Sequence, residues 1–265
     1  MTKRPTKAII TCGGYATRFL PISKAIPKEM MPIGAKPVIH YIVEELVSSG
    51  ITDIMILLGR GKACIADYFD KNFEIDTQLE KTNSNIKTNF FDDINISFRR
   101  VPMPRGAADC IMFARDFVAG EPFVIAYGDD VFFDGNPTCE LIADFEKQGL
   151  PVITTFRVLP RHASAYGIIE KGAESGEMRG IIEKPAGKPS SLLAAVGRYL
   201  MTPQIFNLIA QDAGQKEEIC MTRQLNKLAG EKGIRYITTK ARRFDTGVPR
   251  GLYNANKYYF DELHG

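Results

Sequence analysis

Histidine is scarce in this 265-residue chain: there are three, His40, His162 and His264. The five cysteines (Cys12, Cys64, Cys110, Cys139 and Cys220) are odd in number and widely scattered, and no CxxC occurs. That spacing excludes a disulfide framework and argues against a metal site built from nitrogen and sulfur, so reduced thiols in a cytoplasmic protein are expected. No apolar run approaches the ~18 residues of a membrane-spanning helix. The apolar stretch of the opening MTKRPTKAIITC is too short for a signal-peptide core. Net charge is only +3, too weak to argue for a nucleic-acid partner. Internal repeats, low-complexity tracts and obvious linkers are absent. So are the two common phosphate-cradle motifs, GxxxxGK[ST] and GxGxxG.

What is present is an ordinary globular composition, 45% hydrophobic and 25% charged, with enough chain for one large α/β domain or two small ones. KAIITC is a short β-rich run ending in glycines. In PVIHYIVEELVSSG the residues Ile39, Ile42, Val43, Leu46 and Val47 recur at helical spacing, with Pro37 suited to the first turn and Gly50 to the C-terminal cap. DIMILLG then reads as a buried strand and KACIADYFD as a helix. Alternation of this kind implies parallel strands with crossover helices. The polar, Asn-rich residues 71–95 read as a loop. NISFRRV and PFVIAYG are further strands around a helix near 107–119, followed by helix PTCELIADFEKQG and strand PVITTFRVL. Beyond these, AYGIIEK, GEMRGIIEK and LLAAVGRYLM are closely spaced strands, which predicts an antiparallel or mixed extension of the sheet. PQIFNLIA and EICMTRQLNKLAGEKG are helical, IRYITT is a strand, and PRGLYNANKYYFDEL closes the chain as a helix whose Tyr253, Tyr258, Tyr259 and Phe260 are expected in the intramolecular core.

The most unusual segment is TCGGYATRFLPISKAIPKEMMP, residues 11–32. It follows the first strand, and in open α/β sheets ligands bind beyond the carboxyl ends of strands. Gly13 and Gly14 let backbone N–H groups approach a phosphate. Arg18 offers a planar fork of donors, Lys24 and Lys28 are compact charges, and Pro21, Pro27 and Pro32 stiffen the loop. A polyphosphate cradle is one reading of these residues; a glycine turn followed by a solvated basic loop is the other.

The pattern G-G-x-[GA]-T-R-x-x-P-x-[ST]-K-x-x-P-K-E-M resembles the signature of the sugar-1-phosphate nucleotidyltransferases, and the extended ATRFLPISKAIPKEMMPIGAKPVIHYIVEE is most similar to their bacterial UTP–glucose-1-phosphate uridylyltransferase branch. AYGDD (126–130), SAYGIIE (164–170), IIEKP (181–185), AAVGRYLM (194–201) and FDTGVPRG (244–251) match in order, so the resemblance covers nearly the whole chain. It implies a Rossmann-like three-layer α/β sandwich with a mostly parallel mixed central sheet, in one nucleotidyltransferase domain over 1–265, with 1–130 as the nucleotide part and 131–265 as the sugar-phosphate part. It also implies Mg²⁺-dependent transfer from UTP to glucose 1-phosphate, giving UDP-glucose and pyrophosphate, in a homodimer or homotetramer. By the same resemblance Gly13 and Gly14 underlie the nucleotide, Arg18 meets the β- and γ-phosphates and Lys28 the α-phosphate, Asp129 and Asp245 hold the metal, Glu183 accepts from sugar hydroxyls, Lys184 neutralises the sugar phosphate, and Gly167 and Val196 give backbone contacts to the sugar. Asp130 faces the sugar or solvent.

Three departures stand out. Ala16 replaces a usual glycine and tolerates positive φ poorly. Val101 falls where the family carries a glutamine that reads the base, and GAADC (106–110) replaces a G-L-G-H-A-like segment; backbone near Gly106 could then read the base, or selectivity could be relaxed or changed. The spacing of Pro102, Pro104 and Gly106 resembles the thymidylyl branch, and the YGD of AYGDD also occurs in the cytidylyl branch; with Val101, this keeps dTTP or CTP, or another sugar 1-phosphate, as alternative substrates. In GQKEEICMTR, Glu217 and Glu218 keep the usual acidity but Arg223 reverses a charge. A regulatory paralogue that binds without turnover is the remaining alternative.

Overall fold

The computed structural model describes residues 3–263 apart from 83, 85, 87, 103, 104, 213, 215 and 216; His264 and Pro104 therefore lie outside the described residues. The strands in chain order are β1 (Lys7–Cys12), the short pair β2 (Pro32–Ile33) and β3 (Lys36–Pro37), β4 (Asp53–Leu58), β5 (Asn95–Arg100) and β6 (Phe123–Tyr127). They continue as β7 (Asp130–Phe133), β8 (Val152–Arg157), β9 (Gly167–Lys171), β10 (Glu177–Glu183), β11 (Leu193–Met201), β12 (Ile234–Thr238) and β13 (Arg242–Asp245). The helices are α1 (Val38–Ser48), α2 (Ala63–Phe69), α3 (Phe73–Lys81), α4 (Ala107–Ile111), α5 (Arg115–Val118), α6 (Pro137–Gln148), α7 (Gln204–Gln211), α8 (Met221–Glu231) and α9 (Pro249–Tyr258).

Nine strands form one sheet in the order β5-β4-β1-β6-β11-β8-β12-β10-β9. The first four are parallel, as the alternation of strands and helices predicts. β11 enters antiparallel to both β6 and β8, while β8 pairs parallel with β12. β9 and β10 close the far edge as an antiparallel pair. Both faces are covered. In β1 and β6, Ile9, Phe123 and Ile125 pack into one core with residues of α4, α7 and α8, such as Ala108, Phe206 and Leu225. Ala8, Ile10, Val124 and Ala126 turn the other way, against Ile39 and Ile42 of α1 and Leu141 and Phe145 of α6. Side-chain alternation on two buried faces makes the three-layer sandwich.

Local chemistry fixes the helix ends. Asn136 accepts from the Cys139 N–H at 2.9 Å to cap α6, Pro137 opens its first turn, and Gly149 ends it at φ 69°, the expected asymmetry of caps. Within the stretch 71–95 expected as a loop, the chain forms α3, with Asn72 accepting from Ile75 N–H at 3.1 Å. The polar composition hid this helix because none of its residues is buried, so no apolar stripe betrays it. The helix near 107–119 is broken into α4, a 3-10 turn over Met112–Ala114, and α5. Of the closing aromatics, Tyr258 and Tyr259 pack near Phe133 and Tyr41, whereas Tyr253 and Phe260 are 55% and 58% exposed.

β7 and β13, unforeseen as strands, pair antiparallel outside the main sheet, Asp130 opposite Asp245. This ribbon carries acidic residues from two distant parts of the chain to the same sheet edge.

Candidate functional site at the strand tips

β1 and β6 lie side by side in parallel register, Thr11 against Tyr127. Their carboxyl ends therefore release the Gly13 loop and the Gly128–Asp129 turn next to each other, with Gly128 N–H donating to Thr11 O at 3.1 Å. The loop that follows β1 is a series of 3-10 turns at Thr17–Phe19, Ile22–Lys24 and Lys28–Met30. Ala16 precedes the first of them in the left-handed region, at φ 51°, the conformation for which glycine is favoured. The loop folds back so that Lys28 Nζ lies 3.6 Å from the position a Cβ would take on Gly14. Lys28 Nζ also donates to Asp129 Oδ2. Burial alone would push the Lys28 ammonium down; the adjacent Asp129 carboxylate overrides this, and its pKa ends above the ordinary lysine value.

A cavity of about 600 Å³ opens here, with Gly13, Gly14, Lys28 and Asp129 in its wall and Arg105, Gly106 and Glu218 completing it. Gly106 starts α4 at φ 117°, and a Cβ there would meet Glu218 Cγ and Ile219 O at 2.7 Å. Ile219 N–H donates to Arg105 O at 2.6 Å, and Ala108 N–H to Ile219 O at 3.2 Å. The segment that departs from the family pattern is thus clamped to Ile219 by main-chain bonds on both sides of Gly106. Arg223, which reverses a charge, pairs with Glu217 at 3.4 Å.

A second cavity, of about 400 Å³, shares Ala107, Tyr127 and Glu218 with the first. Gly167, Glu183 and Lys184 line it. Strand alternation would send Glu183 and Lys184 to opposite faces, but β10 ends at Glu183 and Lys184 turns left-handed at φ 46°, so both reach the same space. Thr222 donates to Glu183 Oε2 at 3.0 Å. The wall between the cavities is Tyr127, whose hydroxyl is pushed well above its ordinary pKa by burial and by its hydrogen-bonded neighbour Tyr199.

Asp129 and Asp245 approach each other across Gly247. A Cβ on Gly247 would lie 2.5 Å from Asp129 Oδ2 and 3.0 Å from Asp245 Oδ1, so only glycine leaves both carboxylates their shared space. Gly247 N–H donates to Asp245 Oδ1 at 3.1 Å. Burial, then the nearby Asp130 carboxylate, raises the Asp245 pKa; Arg243 opposes this and Asp129 adds to it. Lys28 offsets the Asp129 charge and Arg243 part of the Asp245 charge, and the two carboxylates still crowd one point. Among the described residues no three His, Cys, Asp or Glu side chains form a metal cage. Two carboxylates are hard oxygen donors, a set that fits a divalent ion taking its remaining ligands from phosphate oxygens and water.

Other expected site residues fall elsewhere. Arg18 is exposed on its 3-10 turn and is not part of either cavity wall. Val101 has no exposed surface; it packs in the core with Leu57 and Ile111, its N–H donating to Leu58 O at 2.8 Å, so its side chain has no access to a base. The Val196 side chain packs into a small cluster with Phe132 and Ala241, which leaves its expected backbone role untouched, and its neighbour Ala195 lines the second cavity. Asp130, expected to face the sugar or solvent, lines neither cavity and does not reach solvent. It is buried, accepting from Gly197 N–H at 3.0 Å and Arg243 Nε at 2.8 Å, which makes it a support for the turn that bears Asp129.

The largest support is one that the sequence does not reveal. Arg198 of β11 is fully buried. It donates to Glu45 of α1 at 2.9–3.2 Å and to the backbone oxygens of Gly197 at 2.9 Å and Asp130 at 2.8 Å. Its guanidinium stacks over Phe132, 5.1 Å from the ring centre. The VGRY motif contains this arginine, but nothing in one sequence distinguishes a buried arginine from a surface one.

The chain that builds this arrangement is similar along its length to known proteins. A UTP–glucose-1-phosphate uridylyltransferase 2 of Streptococcus pyogenes is 37% identical over 269 residues, spanning 96% of this chain and 89% of that protein. A UTP-bound UGPase from Acinetobacter baumannii superposes with a TM-score of 0.88 at 29% identity, covering 96% of this chain and 93% of its own. A UDP-glucose pyrophosphorylase complexed with UDP-glucose superposes with a TM-score of 0.86 at 31% identity, covering 97% and 99%. The model of the nucleotidyl transferase family matches residues 7–262, nearly the whole chain, and the chain is therefore a member of the nucleotidyl transferase family.

Proposed function

We propose that this chain transfers a uridylyl group from UTP to glucose 1-phosphate, forming UDP-glucose and releasing pyrophosphate. The observation that carries this reading is the pair of cavities sharing the Tyr127 wall, one with Lys28 and Asp129 and the other with Glu183 and Lys184. Relatives bearing the names of this activity span nearly the whole chain.

In this reading the triphosphate lies along Gly13 and Gly14, with Lys28 at the α-phosphate and Arg18 reaching in from its exposed turn to the β- and γ-phosphates. Glu183 accepts from sugar hydroxyls, the Gly167 backbone borders the sugar, and Lys184 neutralises the sugar phosphate. A phosphate oxygen of the sugar attacks the α-phosphorus in line, the bond to the β-phosphate oxygen breaks, and its electron pair leaves with pyrophosphate. Both reactants are polyanions, so the protein's task is positioning and charge compensation. Asp129 and Asp245 would hold Mg²⁺, which neutralises charge on the triphosphate and the leaving pyrophosphate. The five free thiols support a reducing, cytoplasmic setting. A homodimer or homotetramer is part of the same reading, with exposed Tyr253 and Phe260 as contact surface.

The burial of Val101 bears on the choice of nucleotide. With no glutamine facing the base, its recognition falls to the Arg105–Ala107 backbone and Glu218. The deciding experiment is pyrophosphate release with glucose 1-phosphate and Mg²⁺, offering UTP, dTTP, CTP, ATP and GTP in parallel. Preference for UTP is the expected result. Preference for dTTP or CTP would move the chain to another branch, and background rates with all five would overturn the proposal.

A further inference from the structure

Glu29 follows Lys28 in the chain yet points away from the cavity. It has no exposed surface, and Lys62, from the loop after β4, is only 6% exposed. Lys62 Nζ donates to Glu29 Oε1 at 2.7 Å. Stability alone does not explain such a pair, because apolar side chains of similar size often serve a buried site equally well. Its location does. Neither residue lines either cavity, but three elements converge on Glu29. The 3-10 turn Lys28–Met30 carries it beside Lys28. Lys62 fastens that turn to the start of α2. On a third side, Glu29 Cγ lies 3.2 Å from where a Cβ would sit on Gly128, a position also 2.7 Å from Cys12 Sγ and 3.0 Å from Thr11 O. Only glycine lets the Glu29 side chain run past the strand tip that next bears Asp129. The other carboxylate oxygen, Oε2, is buried with no hydrogen-bond partner among the described residues, so Lys62 is the polar anchor of this side chain.

We propose that Glu29 and Lys62 form a positioning pair that fixes the turn bearing Lys28 against the Asp129 strand tip, and so sets where the Lys28 ammonium meets the nucleotide. This inference rests on the reading of Lys28 as a phosphate ligand. The pair touches no reacting atom and acts through Lys28 alone.

The consequence is non-additivity, which a merely structural pair would not produce. Steady-state kcat and KM for UTP are compared in the wild type, Lys28→Met, the paired variant Glu29→Gln/Lys62→Met, and the triple variant, with thermal melts on each. The paired variant should melt cooperatively and lose roughly 10- to 100-fold in kcat, the scale of a displacement of about 1 Å. The triple variant should match Lys28→Met within about three-fold, since the pair has nothing left to position. A paired variant within about three-fold of wild type, or a triple variant showing the product of the two losses, overturns the positioning role while leaving the phosphate reading intact. Full turnover by Lys28→Met overturns that reading and the positioning role with it. If the paired variant fails to melt cooperatively, Glu29→Asp carries the test, because it keeps both charges and withdraws the carboxylate by one methylene. A loss of about five-fold or more in its kcat supports the role, and wild-type kcat overturns it.

Discussion

Lys28 and Asp129, 101 residues apart in sequence, meet as an ion pair at the mouth of two parallel strands. One comes from the loop after β1 and the other from the turn after β6, and the parallel register of those strands sets the two connections side by side. The candidate site is therefore a product of sheet topology: what the chain separates, parallel pairing brings to one edge.

The carboxylates crowded at Gly247 predict a trade between function and stability. Asp245→Asn keeps an oxygen to accept the Gly247 N–H but removes one of the like charges. Pyrophosphate release should fall by about 100-fold or more, the scale of losing one preorganised charge contact. The melting temperature should hold or rise, because repulsion with Asp129 and Asp130 is relieved. Assay and thermal melt on the same preparation check both; an active variant, or one that melts well below wild type, would contradict the assignment.

Restoring the family glutamine at 101 should not restore base reading. Val101 lies in the core without exposed surface, so Val101→Gln puts an amide where no polar partner waits, at a cost of about 1–3 kcal/mol. The expected result is lower stability in urea with the nucleotide preference unchanged. A shifted preference would show that the segment around Val101 rearranges when nucleotide binds.

Acid should weaken the fold through His40. Burial, with the Lys36 ammonium, pushes its imidazole from 6.5 to about 4, while Glu44 pulls the other way; Nδ1 lies 2.8 Å from the Tyr68 hydroxyl, and Phe90 and Phe91 flank the ring. The folded pKa is depressed, so this contribution is fully present above pH 6.5 and is lost as pH falls from there toward 4. It amounts to at most roughly 3 kcal/mol. Urea midpoints at pH 7 and 4.5 should differ more for the wild type than for His40→Phe, whose ring does not titrate.

Much of the fold and the site is legible in the sequence, for identifiable reasons. The alternating strands and helices of the first half follow from periodicity, and the mixed second half from the close spacing of AYGIIEK, GEMRGIIEK and LLAAVGRYLM. Lys28, Asp129, Gly106, Gly167, Glu183 and Lys184 stand in recognisable motifs and do line the cavities. Helix α3 is hidden because it buries nothing. The β7–β13 ribbon is hidden because four-residue strands carry too little pattern. Asp130 misleads because one sequence does not say which way a side chain leaves the backbone. The Glu29–Lys62 and Glu45–Arg198 pairs are invisible because charge reads as surface until burial is known.

Arg198 has one more implication. Where β6 ends and β7 swings away from the main sheet, the ladder that would have used the carbonyls of this turn comes to a stop. One guanidinium stands in for the missing strand, donating to the oxygens of Gly197 and Asp130 while its other edge holds Glu45. No other natural side chain offers donors fanned in a plane across that span. A lysine could satisfy one or two of these acceptors from a single point and would leave the rest dry and unbonded. Among substitutions tolerated by drift, position 198 should therefore be close to invariant, although it lines neither cavity.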